Sequence, residues 1–321
     1  MEDVYLSDGV VEIGDYAFDE CYALSSITIP QSVTYIGKCV FEECKNLVSI
    51  TVDDNNSFYD SRNSCNAIIQ TDINELIVGC SATVIPETVV SIGQYAFSYC
   101  RTLKSIVIPQ SVKSIKKGAF QYCSALTSIT IPKGVTSIED FVFYYCESLV
   151  AVDIPEGIVS IGEHAFSWCY DLTFITIPDD VITIGRNAFF YCSSLVTISI
   201  PMNVQNIGDR ALAYCKSLSS ITCEAVIPPI FNGNDVFLNT DMNITLYVPL
   251  ISIPSYESAE CWKEFAYIEP ICIEENKKIL DAEASFFMQR RNYMKALLTP
   301  VPSTIPTGRH CMYPLRYLTR I

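Results

Sequence analysis

The sequence predicts a β-rich solenoid, with short stacked strands, one compact or single helical turn per repeat, and a C-terminal cap. Three observations carry this expectation. Pro86, Pro109, Pro132, Pro155, Pro178 and Pro201 follow one another at intervals of 23 residues. Eight regular units align to P-x-x-V-x-x-I-G-x-x-A-F-x-x-C-x-x-L-x-x-I-x-I, with unbroken columns from Ile13 to Ile207 and from Leu24 to Leu218. Within each unit the apolar positions alternate as a half-buried strand requires. A period of this length marks units that cannot bury their apolar faces alone and stack into one continuous core.

Each element of the unit has a reason. In Leu126–Pro132, Leu126, Ile129 and Ile131 face inward while Ser128 and Thr130 face outward, which makes this stretch the main strand. The V-x-x-I-G stretch supplies a second short extended segment, closed by glycine where the backbone turns. A-F-x-x-C is the compact turn, plugging the interior with an aromatic ring from Phe18 to Phe189, replaced by Leu212 in the last unit. An irregular unit over 53–85 interrupts the array after two repeats and carries a hairpin. With it, nine turns stack at about 4.8 Å per rung. The expected organisation is a solenoid over 1–225, a capping unit over 226–271 and an unassigned basic tail over 272–321. Leu280, Ala284, Phe287, Met294 and Leu298 place a helical stripe in that tail, ahead of a Pro-rich stretch.

Composition narrows function. Half of the residues are apolar and 18% are charged, which excludes a disordered chain. No apolar run reaches the ~18 residues of a membrane span, and Met1–Tyr5 has no signal-peptide pattern. The net charge of −15 argues against a nucleic-acid partner. Lys and Arg gather in 276–321, eight against two Asp/Glu, so the solenoid itself is strongly acidic.

These repeats resemble the leucine-rich repeats of the BspA-like type, found in surface and secreted proteins of anaerobic bacteria and in some protists. The irregular unit, Asn55 to Pro86, is similar to the hairpin-bearing longer repeat of bacterial members. Thr245–Ile271 is similar to their capping unit, with a strand, a short helix around Trp262 and Phe265, and a last strand. The resemblance implies a leucine-rich-repeat array at the cell surface or secreted, acting as a non-enzymatic binding or adhesion module for protein or glycan. The alternative is a purely structural spacer within a larger surface protein.

The inventory of reactive side chains supports no enzyme, cofactor or metal centre. Only His164 and His310 are present, and His164 falls at a variable repeat position that reads as surface. There is no C-x-x-C pair and no Gly-rich phosphate loop. Eight of the 15 cysteines (Cys21, Cys44, Cys100, Cys123, Cys146, Cys169, Cys192 and Cys215) share one column. Parallel Cβ vectors in a stack disfavour bridges between them, so they read as buried thiols. Cys65 and Cys80, flanking the hairpin, are the pair to test for a disulfide.

The candidate binding surface is a second aromatic column. Tyr99, Tyr122, Tyr145, Trp168, Tyr191 and Tyr214 stand immediately before the ladder cysteine in six successive repeats, and Tyr144 and Phe190 widen the strip. Such a strip offers apolar contact and stacking to a protein or to sugar rings. The competing reading is that these rings only cover the joints between turns. The strand face, by contrast, is mostly small and hydroxylated, with few anchors.

Overall fold

The structure is a computed structural model that describes residues 3–271 apart from residue 234. The helix and Pro-rich stretch expected in the tail lie outside the described residues. Two sets of parallel rungs run along the stack. The longer set contains Asp3–Tyr5, Ser26–Ile29, Ser49–Val52, Ser128–Thr130, Ala151–Asp153, Phe174–Ile175, Thr197–Ile200 and Ser220–Cys223. Its register is one period per step, as in Ile27 opposite Ile50 and Ile198 opposite Ile221. The shorter set consists of brief V-x-x-I-G strands such as Thr183–Ile184, paired one period away with Asn206–Gly208.

The column assignments follow from burial. Ile27, Ile50, Ile129, Ile175, Ile198 and Ile221 are buried, and Phe97, Phe120, Phe143, Phe166 and Phe189 show no exposed surface. The Phe rings stack on one another, Phe120 on Phe143 at 5.9 Å and Phe143 on Phe166 at 5.3 Å between centroids. The longer set is not continuous: residues 105–108 carry no ladder, and Val107 stands almost fully in solvent.

The A-F-x-x-C turn is held by three backbone bonds per repeat to the next repeat. In one repeat, Tyr95, Phe97 and Tyr99 donate their N–H groups to the carbonyls of Lys117, Ala119 and Gln121. The next repeat does the same from Gly118, Phe120 and Tyr122. Two residues per turn sit in the left-handed region, for example Tyr95 at φ 59° and Tyr99 at φ 60°. Left-handed residues at these two points keep the segment a run of hydrogen-bonded turns rather than a helix.

The irregular unit breaks this pattern. Tyr59–Asp60, Ala67–Gln70 and Glu75–Gly79 form an antiparallel sheet whose last strand joins the parallel rung Ser91–Ile92. This unit supplies rungs to the sheets but no A-F-x-x-C turn. Among the described residues, the N–H groups of Cys39, Phe41 and Glu43 therefore make no backbone hydrogen bond to a following turn, although their equivalents in the repeats on either side all donate. The buried core divides here into two clusters, one ending at Val78 and Cys80, the other running from Cys65 to Phe265.

The cap adds the rungs Thr245–Val248 and Tyr267–Pro270 beyond the nine expected turns. Its α-helix spans Ile253–Ser258, earlier than the expected position around Trp262, because Pro254 favours the first helical turn. Trp262 and Glu264 instead bound a 3-10 turn, which starts after Cys261 at φ 63°. Trp262 is buried, donates from Nε1 to the carbonyl of Pro229 at 3.0 Å, and closes the end of the core.

Candidate functional site

The cysteine column explains the inside of the turn. Most ladder thiols donate backward to a Phe carbonyl of the preceding repeat: Cys123 to Phe97 at 3.2 Å, Cys146 to Phe120 at 3.1 Å, Cys169 to Phe143 at 3.2 Å and Cys192 to Phe166 at 3.1 Å, whereas Cys100, after the irregular unit, reaches the Gly79 carbonyl at 3.6 Å. Burial raises these thiols well above their usual range, and it pushes Cys215 up to about 12. Thiolate is scarce in such a setting, so the column is inert and structural. Cys65 and Cys80, the pair singled out for a disulfide test, are both free: Cys80 Sγ lies 3.4 Å from the Asn66 carbonyl and Cys65 Sγ 3.8 Å from that of Ala67.

One residue before each ladder cysteine, the chain takes a left-handed conformation, with φ between 57° and 64° at Tyr99, Tyr122, Tyr145, Trp168, Tyr191 and Tyr214. A bulky residue there costs on the order of 1–3 kcal/mol, which the forward backbone bond and ring stacking offset. The φ reversal sends the N–H toward the next repeat while Phe and Cys on either side point into the core. All six rings are half-buried and share one continuous row. Successive centroids lie 4.2, 5.0, 5.0, 4.2 and 4.2 Å apart, with planes within 20° of parallel.

Tyr144 packs edge-on against Tyr122 and Tyr145, and Phe190 against Trp168, Tyr191 and Tyr214. Burial, reinforced by neighbouring tyrosines, pushes the Tyr122 and Tyr144 phenols up to about 12. The inner rings of the row thus have both faces covered by their neighbours and present their edges. At the start of the row, the Arg101 guanidinium sits 5.1 Å from the Tyr99 centroid. Arg101 also pairs with Glu43 across the missing turn, and its hydrogen bond holds the Glu43 carboxyl below the usual range.

His164 departs from the surface position expected of it. It is half-buried, stacked on Phe141 at 4.8 Å and within 3.0 Å of the Asn187 amide. Burial lowers its pKa. Its Nε2 also lies 3.8 Å from the Glu163 carboxylate. Arg101 and Tyr170, which meets Trp168 edge-on at 5.7 Å, escape a reading by columns because their repeat positions vary. The left-handed backbone did leave a trace in the sequence: the companion column contains Gly118 and Asn187, residue types that favour that region. Among the described residues no group of His, Cys, Asp and Glu is arranged to hold a metal ion, and no helix is long and apolar enough to cross a membrane.

Parallel rungs at one period, a stacked Phe column and an outward aromatic row define a β-solenoid repeat protein with a continuous side-chain surface. The chain belongs to the BspA type leucine rich repeat family, whose model matches residues 1–82, 77–178, 113–245 and 159–281. It is similar to a leucine-rich repeat protein of known structure from Eubacterium ventriosum, with 27% identity and a TM-score of 0.63, over 74% of this chain and 64% of that one. It also shares its fold with the pneumococcal vaccine antigen PcpA, with 18% identity and a TM-score of 0.56, over 82% of this chain and 60% of that one. The chain therefore spans less than two thirds of the length of either structure. No curated protein matches this sequence. The family is consistent with a protein-binding or surface role.

Proposed function

We propose that this chain is a non-enzymatic binding module of a cell-surface or secreted protein, and that the row Tyr99, Tyr122, Tyr145, Trp168, Tyr191 and Tyr214 contacts a protein partner. The observation that carries this reading is the unbroken, half-buried stack of six rings on a rigid scaffold. Rigid aromatic rows lose little conformational entropy on binding and supply the residue types that dominate interface energetics. Mutual stacking favours a protein over a glycan at this strip. A sugar ring needs an open aromatic face, and the four inner rings offer edges.

Trp168 sits in the middle of the row, flanked by Tyr145 at 5.0 Å and Tyr191 at 4.2 Å. As an interface anchor its truncation costs about 2 kcal/mol or more of affinity. The test compares proteins captured by the wild type with those captured by Trp168→Ala, alongside the melting temperature of each. Partners retained by the first, lost by the second and unaccompanied by unfolding support the reading. Identical capture by both leaves the chain as a structural spacer.

A further inference from the structure

The turn missing from the irregular unit leaves a second feature, separate from the aromatic row. In the companion left-handed column the order along the stack is Tyr16, Cys39, the vacant rung, Tyr95, Gly118, Phe141 and His164. A groove of about 380 Å³ opens at this point, lined by Asp15, Tyr16, Lys38, Cys39 and Glu42 from the repeats before the missing turn. Tyr95, Lys117, Gln121, Tyr122, Phe141 and Tyr144 line it from the repeats after that turn. Its volume falls in the range of small-ligand sites, where a few polar groups converge on aromatic walls.

From this arrangement we infer that the groove is a binding site for a neutral pyranose sugar, seated between Tyr16 and Tyr95. The ring faces are the first reason. Phe141 has one face taken by His164 and the Lys117 ammonium 5.1 Å from its centroid, and the faces of Tyr122 are taken by Tyr99 and Tyr145. Among the described residues, neither Tyr16 nor Tyr95 is stacked on another ring, and Tyr16 is 55% exposed. Tyr95 packs against Gly118, where a Cβ would come 2.4 Å from its Cε1. The glycine thus leaves room for the Tyr95 ring, which lines the groove. An apolar C–H face of a pyranose complements such a ring.

The polar groups are the second reason. Asp15 and Glu42 balance Lys38 and Lys117, so the lining carries no net charge and suits a neutral ligand. Carboxylates accept, ammonium groups donate, and the Gln121 amide and tyrosine hydroxyls supplement both roles. Cys39, whose N–H makes no backbone hydrogen bond among the described residues, also lines the groove. Vicinal sugar hydroxyls, each donor and acceptor at once, match that mixture better than an anion or a cation does.

The test is saturation-transfer NMR on the intact protein with methyl pyranosides of glucose, galactose, mannose and N-acetylglucosamine. At least one should bind with a millimolar or tighter Kd and show its strongest transfer on the protons of one C–H face. Tyr16→Ala and Tyr95→Ala should each weaken that Kd about tenfold or more, the equivalent of 1.4 kcal/mol. Trp168→Ala should leave it unchanged, which separates this site from the strip. Circular dichroism checks that the Tyr95 variant folds, and solvent-facing Tyr16 gives an independent arm. No transfer from any of the four sugars overturns the inference. So does binding that survives both tyrosine substitutions, or binding lost with Trp168.

Discussion

Replacing Phe143 by alanine removes a ring that has no exposed surface and is stacked on both sides, by Phe120 at 5.9 Å and Phe166 at 5.3 Å. The backbone bond from the Phe143 N–H to the Ala165 carbonyl survives the change, as does the carbonyl that accepts the Cys169 thiol. The loss is thus almost purely side-chain packing. Truncating a buried Phe costs about 3–5 kcal/mol, and two ring contacts place Phe143→Ala near the upper end. Phe41 supplies an internal control. It stacks on Phe18 alone, at 5.3 Å, and keeps 9% of its surface at the interruption. Phe41→Ala should therefore cost less, by roughly the 1 kcal/mol of one ring contact. Because each repeat couples only to its neighbours, the Phe143 variant should also broaden or split the unfolding transition. Urea denaturation followed by circular dichroism, with calorimetry, measures both effects. If Phe143→Ala leaves the midpoint unchanged, or if Phe41→Ala costs as much, the stacked column is not what holds the repeats together.

Alkylation without denaturant should leave Cys123, Cys146, Cys169, Cys192 and Cys215 unlabelled by mass spectrometry, and labelling should be complete once the chain is unfolded; widespread bridges among them would contradict the thiol ladder. Tyr122 and Tyr144 titrate near 12 in the fold, against 10.0 for an unperturbed phenol. The unfolded chain gives up these protons first, so their contribution to stability is intact below pH 10 and drains away toward pH 12. Ultraviolet phenolate titration should place Tyr122 and Tyr144 among the late-titrating tyrosines, with buried Tyr256 later still, and alkaline melts should show a falling midpoint over the same window. Gly118→Ala places a Cβ against the Tyr95 ring at φ +63° and should lower stability by at least the ~1–2 kcal/mol of a left-handed non-glycine residue. Gly157→Ala, at φ +90° with open space around the new methyl, should lack the added collision, and thermal melts separate the two cases.

Columns were legible because each faces one invariant environment. Ile129, Leu126 and Phe143 meet the same neighbours in every turn, so burial could be read from spacing alone. The outward row was legible as a pattern but not as a geometry. Nothing in six aromatic letters at one interval distinguishes rings that show their faces from rings that hide them against each other. That depends on the left-handed backbone at Tyr99 and its equivalents, whose local signal lies in the neighbouring column at Gly118 and Asn187. The groove was illegible for another reason. It is made by a turn the irregular unit does not contain, and its walls, Tyr16 and Tyr95, stand 79 positions apart. Cys65 and Cys80 sit where a bridge was conceivable, yet each thiol finds a backbone carbonyl closer to hand.

The backward thiol bonds have a consequence for the life of the chain before it folds. The sequence carries 15 cysteines, eight of them in one repeat column, whose thiols can meet once the backbone is loose. Burial alone shields the ladder, since the finished protein crosslinks none of it. Nascent and refolding chains lack that shelter, and an oxidant meets thiolates with ordinary acidity. Folding and oxidation therefore compete for the same sulfur atoms. Wherever this protein matures, the stack must close before its surroundings turn oxidising, or arrive there already closed.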